Sequence, residues 1–359
     1  MLNLPSEIHH MIAGQCELVD IAAVSTTCRQ LHQVYNVLLY EQNVKFHNSS
    51  ALRSICQYKE QRFSVAALKN AISAGANLQR TFYKVVTHTL PRQYSWSRPG
   101  FDQIAYVHYL TPLHLAASAG LCDAVTLFLD DGIDVDVAAE SLGWTPLFFA
   151  LNKRRDRTAR RLIDQGASLI LGSGLTALHM AVAANLRDIS TYLINDKGMD
   201  LNSGDRNGDT PLVYALTSPY TTEESILHLL TLGADANKRV FVSGQCWSPL
   251  SISLRCGRWD FAEKLLDHGA DVEGTSGLTI SHPDATRAEI THPLLLALFA
   301  KPPRDRRSRK RIITRLLAKA DPKMEGELFR LRLVLRRSPP CYYATEHEFQ
   351  RRPSQKYYV

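Results

Sequence analysis

Apolar residues recur along most of this chain in paired blocks at helical spacing, each pair closed by a glycine. In the clearest copy, Leu113, Ala116 and Ala117 fall on one face of a first segment, and Val125, Leu127, Phe128 and Leu129 line a second. A strand would alternate every second residue, so this three-to-four spacing predicts two amphipathic helices. The first helix opens on Thr111-Pro112-Leu113-His114, and the same start returns at Thr145-Pro146-Leu147, Thr176-Ala177-Leu178-His179, Thr210-Pro211-Leu212 and Ser248-Pro249-Leu250. A weaker copy stands at His292-Pro293-Leu294. The second helix closes on Gly132-Ile133-Asp134, Gly166-Ala167-Ser168, Gly198-Met199-Asp200, Gly233-Ala234-Asp235 and Gly269-Ala270-Asp271. The prolines, with Ala177 in place of one, lie 34, 31, 34, 38 and 44 residues apart.

Each position has a physical reason. Threonine caps a helix by accepting a backbone N–H, and proline fits the first turn, where its missing donor costs nothing. Glycine supplies the left-handed residue that ends the second helix. One such hairpin cannot bury its apolar face, so neighbours must stack. A period near ~33 with T-P-L-H-x-A resembles the ankyrin repeat. That resemblance implies an all-α fold: an ankyrin-repeat solenoid of about six or seven repeats, some degenerate. Five repeats span residues 111–274. A degenerate first repeat is expected over 48–77, from Val65-Ala66-Ala67-Leu68 and Gly75-Ala76-Asn77. Residues 78–110 then form an insertion rich in Tyr, Trp and Pro. A degenerate last repeat is expected over 291–322, with its basic run as a loop between two helices, followed by a basic tail over 323–359.

Residues 4–44 do not carry the repeat. Three short apolar blocks at helical spacing predict a compact three-helix unit over 1–44. The blocks are Leu4-Pro5-Ser6-Glu7-Ile8, then Leu18 to Val24, then Thr27-Cys28-Arg29-Gln30-Leu31 with Leu38. This resembles the F-box, which docks on the Skp-type adaptor of SCF-type (cullin–RING) ubiquitin ligases. With the repeats, the chain is similar to fungal-type F-box proteins with ankyrin repeats. The resemblance implies adaptor contacts at Leu4, Pro5, Ile8, Leu18, Ile21, Val24, Cys28, Arg29, Leu31 and Leu38. Cys16 stands where the family more often has leucine. The simpler alternative is a helical cap over the open end of the stack.

No H-E-x-x-H, G-x-S-x-G or phosphate-binding G-x-x-x-x-G-K motif occurs, so no catalytic constellation, metal or cofactor is expected. His114 and His179 sit in the T-P-L-H position, whose expected role is hydrogen bonding between adjacent loops. Asp130, Asp131, Asp134 and Asp136 lack the spacing and terminal Glu of a calcium loop and read as a turn. Asp205-Arg206-Asn207-Gly208 reads as a tight turn with glycine at the strained position. The repeat resemblance implies binding through the turn tips and inner-helix ends. The tips give Trp144, Arg206, Asp209 and Trp247; the helix ends give Asn152, Lys153, Thr217 and Arg255. Trp and Arg suit such contacts because they combine area with directed polar groups. A tip tryptophan packed on its own loop is the alternative.

Charge refines this picture. Net charge is +7, but residues 291–359 carry 17 Lys and Arg against 6 Asp and Glu, so the rest is net −4. That acidity disfavours nucleic acid as a partner of the repeats. The basic runs at Lys153, Arg154, Arg155 and Arg157 and over residues 304–311 are expected to be solvated loops, with nuclear import an alternative for the second. Seven scattered cysteines without a C-x-x-C pair fit free thiols in a reducing compartment. No secretory signal or membrane span is expected. The sequence thus points to a non-enzymatic protein of cytoplasm or nucleus that joins a Skp-type adaptor to an unidentified target protein. A plain ankyrin scaffold or nuclear coregulator is the other reading.

Overall fold

A computed structural model describes residues 65–79, 81–91, 101–139, 143–242, 245–272 and 306–319. It also describes Ile12, residues 38–41, 43–45, 52, 53, 56, 293 and 297, all helical. Two compact units emerge, one from residues 1–90 and 102–199, the other from 91–101 and 200–359.

In the first unit, helix α1 (Val65–Ser73) is followed by paired strands β1 (Phe82–Pro91) and β2 (Phe101–Leu110). Three helical hairpins come next: α2 (Pro112–Ala119) with α3 (Cys122–Asp130), α4 (Pro146–Asn152) with α5 (Asp156–Asp164), and α6 (Ala177–Ala183) with α7 (Arg187–Asn195). The inner helices α2, α4 and α6 pack in series, and so do α1, α3, α5 and α7. Leu113, Leu115, Phe128, Phe148, Phe149 and Leu162 are fully buried between them. Burying a side chain of that size contributes about 2–3 kcal/mol, so the seams between hairpins dominate the stability of the unit.

The second unit holds α8 (Pro211–Thr217) with α9 (Glu223–Thr231), strands β3 (Val240–Val242) and β4 (Gln245–Trp247), α10 (Pro249–Arg255) with α11 (Trp259–Asp267), and α12 (Arg306–Lys319). Helix α8 packs on α10, and α9, α11 and α12 pack in series. Strands β3 and β4 are antiparallel, with Val240 opposite Trp247.

Two expectations change. The described chain is not all-α, because both hairpins of strands lead straight into a Thr-Pro or Ser-Pro helix start. β-branched and aromatic residues favour extended backbone, and residues 82–91 and 101–110 are rich in both. Within the 78–110 insertion, β1 and β2 therefore pair with each other, and β2 leads into the following repeat. Similarly, β3–β4 accounts for the 38-residue interval before Pro249. The basic run is not a loop either: α12 begins at Arg306 and carries most of it. Arginine and lysine are good helix formers, and this helix has anchors. Ile312 and Leu316 are fully buried, Arg309 donates to the carbonyl of Ala297 at 3.2 Å, and Arg311 and Arg315 pair with Glu263 and Asp267 of α11 at 3.0 and 2.8 Å.

The adaptor positions Leu4, Pro5, Ile8, Leu18, Ile21, Val24, Cys28, Arg29 and Leu31 lie outside the described residues. Leu38 is helical and buried.

Candidate interaction surface

The repeat tips are held by polar side chains whose roles are set by their backbone. At the first tip, Nδ1 of His114 accepts from the Thr111 backbone N–H at 3.3 Å and lies 2.9 Å from the Thr111 hydroxyl. An accepting Nδ1 leaves the proton on Nε2, which donates to the carbonyl of Trp144 at 3.2 Å. That carbonyl also accepts from the Ala139 N–H at 2.9 Å. The indole of Trp144 lies edge-on to Phe149 at 5.5 Å, and the His114 ring does so at 5.3 Å. His114 thus caps its own helix and ties the next loop to it. His179 repeats the cap, with Nδ1 3.3 Å from the Thr176 N–H.

Below the tips runs a set of Asx side chains that the sequence analysis did not single out. Asn202 accepts from the Asp235 N–H at 2.8 Å and donates to Gly233, and Asn237 does the same to Asp271 at 2.7 Å and Gly269. In the first unit, Asp136 accepts from Ser168 at 2.8 Å. The recurring Gly-x-Asp-x-Asn, with Asp in the last place at residue 136, was the available signal. The acidic residues 134 and 136 are accordingly turn residues, and among the described residues no group of three or more potential ligands could hold a metal ion.

The fourth tip is built differently. One oxygen of Asp205 accepts from the N–H groups of Asn207 and Asp209 at 2.8 and 3.0 Å, and the other accepts from the Tyr214 hydroxyl at 2.9 Å. Gly208 has φ 82°, as the tight turn requires. Asp209 precedes the helix-start Thr, where other repeats place Leu110, Trp144, Leu175 and Trp247, all buried. Burial, with the Asp205 carboxylate beside it, pushes its pKa up to about 7.

These contacts sort the proposed contact residues. Trp144 is 4% exposed and Trp247 is 0% exposed, so both tip tryptophans pack into their own repeats and offer no surface to a partner. Their physical reason is the same: an indole beside the helix start fills the seam under the tip. Asn152 and Asp209 are buried as well. Arg206 is exposed, and Lys153, Thr217 and Arg255 are half-buried. Arg255 lies over the Trp247 ring at 5.0 Å, a stacking that fixes its direction. Lys153 is crowded by burial and then by Arg155, which together lower its pKa.

The opposite edge, where inner helices turn into outer ones, is strapped by arginines. Arg155 donates to the Ser118 carbonyl at 3.2 Å, and Arg258 to those of Ser218 and Thr221 at 3.1 and 2.9 Å. A Cβ at Gly120 would stand 2.9 Å from Cδ of Arg155, so the glycine leaves the strap room as it crosses. Gly120 and Gly257 turn the chain there with φ 90° and 69°, whereas Arg154 and Asn185 adopt φ 57° and 58° at the matching place. The described cysteines 56, 122, 246 and 256 are free thiols, and burial pushes Cys56 up to about 12. No helix among the described residues is long and apolar enough to cross a membrane.

Comparison with known proteins agrees with this architecture. The family model described as ankyrin repeats matches residues 98–172 and 168–240. Over 166 residues the chain is 31% identical to a putative palmitoyltransferase ZDHHC13 of Danio rerio, covering 46% of this chain and 25% of that protein. It is 30% identical over 181 residues to the B-cell lymphoma 3 protein homolog of Mus musculus, covering 48% and 38%. It is 34% identical over 121 residues to ankyrin repeat and SOCS box protein 11 of Danio rerio, covering 33% and 39%. The chain therefore spans well under half the length of these relatives. The crystal structure of the human ASB11 ankyrin repeat domain superposes with a TM-score of 0.50 at 20% identity, covering 76% of this chain and 97% of that one. Residues 98–240 match ankyrin repeats, and the stacked helical hairpins have the fold of an ankyrin-repeat solenoid.

Proposed function

We propose that the chain is a non-enzymatic target-recognition subunit of an SCF-type ubiquitin ligase. Ankyrin repeats are protein-interaction modules, and the exposed Arg206 and half-buried Arg255 stand on a framework whose apolar seams are closed. The observation that carries the ligase reading is the joining, in one chain, of an F-box-like segment over residues 4–44 to such repeats. Similar proteins named ankyrin repeat and SOCS box protein 11 also carry repeats and a box together in one chain, which supports this organisation. In this reading the Skp-type adaptor takes residues 1–44, the repeats hold a target protein, and chemistry belongs to the partners. The chain contributes proximity and orientation. It acts in cytoplasm, nucleus or both.

The test is a pull-down of the intact chain and of one lacking residues 1–44, probed for the Skp-type adaptor. Recovery with the intact chain alone supports the proposal. Recovery with neither sinks it, and leaves the repeats as a scaffold whose N-terminal segment serves at most as a cap on the stack.

A further inference from the structure

We propose that a cleft at the inter-helix edge of the first unit is a docking site for an acidic segment of a partner protein. The cleft measures about 500 Å³ and lies between the turn joining α4 to α5 and the turn joining α6 to α7. Lys153, Arg154, Arg155 and Arg187 line it together with Asp156 and Asp188. It lies on the edge opposite the tips and extends the reading of the repeats as a protein-binding module, but it does not depend on the adaptor.

Three observations choose the occupant. First, the cations outnumber the carboxylates two to one in a chain whose repeats are otherwise net acidic. Like charges gathered this closely repel one another, and that repulsion is relieved when opposite charge arrives. Second, α5 and α7 both begin at the cleft, at Asp156 and Arg187, so the positive ends of two helices add to the field of the side chains. Third, the lining is amphoteric. Asp156 and Asp188 can accept from the N–H groups of a peptide. They would repel a nucleic-acid strand, whose edge is a continuous row of anionic acceptors. A carboxylate-bearing peptide satisfies both kinds of lining group; a phosphodiester chain satisfies one.

The experiment measures binding of a short fluorescent poly-glutamate peptide to the full-length chain at low salt, by anisotropy, beside inorganic phosphate and a single-stranded DNA oligonucleotide as competitors. The variant combines Arg154→Gly with Arg187→Glu. Glycine suits the left-handed backbone at 154, and glutamate suits the first turn of α7, so the stack should keep its fold. A melting curve checks this. A second variant, Arg306→Glu with Lys310→Glu, controls for the basic last helix. The expected result is a roughly fivefold or greater loss of affinity in the first variant, since one exposed cation is removed and the other is reversed in sign. The last-helix variant should bind as the parent does. Equal affinity in parent and first variant, loss only in the last-helix variant, or preference for the oligonucleotide over the peptide would each overturn the proposal. Adaptor recovery should be the same for all three chains, so this test can fail without touching the ligase reading.

Discussion

Nε2 of His114 lies 3.2 Å from the carbonyl of Trp144, thirty residues further on, and the two rings share Phe149 as an edge-on neighbour. One imidazole therefore caps a helix, joins two repeats and helps seat an indole. Replacing His114 with Ala leaves the Trp144 carbonyl one donor short and empties a fully buried volume, at a cost of about 2–4 kcal/mol. Urea unfolding should show the unfolding free energy fall by that amount, with a correspondingly lower midpoint. Adaptor recovery should not change.

Trp247 is fully buried, so Trp247→Ala is a cavity mutation. It should cost about 3–5 kcal/mol and free Arg255 from its stacking partner. Calorimetry should record the loss whether or not a target is present. If the fold keeps its stability and only target capture falls, the indole belongs to a binding face after all.

The Asn202 and Asn237 rungs are exposed at their outer side, which makes them easy to remove singly. Each Asn→Ala change deletes two hydrogen bonds to the next repeat and should cost about 1–2 kcal/mol. Hydrogen exchange at the Asp235 N–H, for Asn202→Ala, or the Asp271 N–H, for Asn237→Ala, should accelerate ahead of the core amides.

Arg154 holds φ 57° where the first and fifth full repeats have glycine. A non-glycine residue in that region costs roughly 1–2 kcal/mol, part of which glycine returns through the freer unfolded chain. Arg154→Gly should therefore stabilise by about 0.5–1 kcal/mol, read as a rise of one or two degrees in Tm. A fall in Tm would show that the Arg154 side chain contributes more than its backbone costs.

Asp209 makes stability depend on pH. Unfolded, its carboxyl ionises near 3.8; in place, it keeps its proton up to about 7. Folding takes up a proton between those values, so stability is lost as pH rises from about 4 through 7 and then levels off. Asp209→Asn removes the ionisation. The variant and parent should melt alike near pH 4, and the variant should lead by about 1–3 kcal/mol at pH 8. A lead that stays constant across that range would mean Asp209 is not the titrating group.

The repeat was legible because its signals are local. Thr-Pro-Leu starts a helix and Gly-Ala-Asp ends one wherever they occur, and a helix begins at each of the five full starts. His114 was legible for the same reason, since its partner sits one repeat period away. Trp144 and Trp247 were not. A large aromatic beside a turn has the composition of a contact residue and of a plug, and only the neighbouring Phe149 or Arg255 decides between them. The strands of 82–110 were hidden because their length departs from the repeat. The last helix was hidden by its charge: seven cations in fourteen residues look like a solvated loop until Glu263 and Asp267 are seen to face two of them.

That last helix has a further consequence. A stack of similar hairpins ends in an apolar face that would accept another hairpin, from this chain or from a neighbouring molecule. Helix α12 covers that face of α11 with Ile312 and Leu316 and turns Arg311, Thr314 and Lys310 to water. The same residues that look like an address label in the sequence thus act as a cover, and trimming the helix should expose the apolar side of α11 to water.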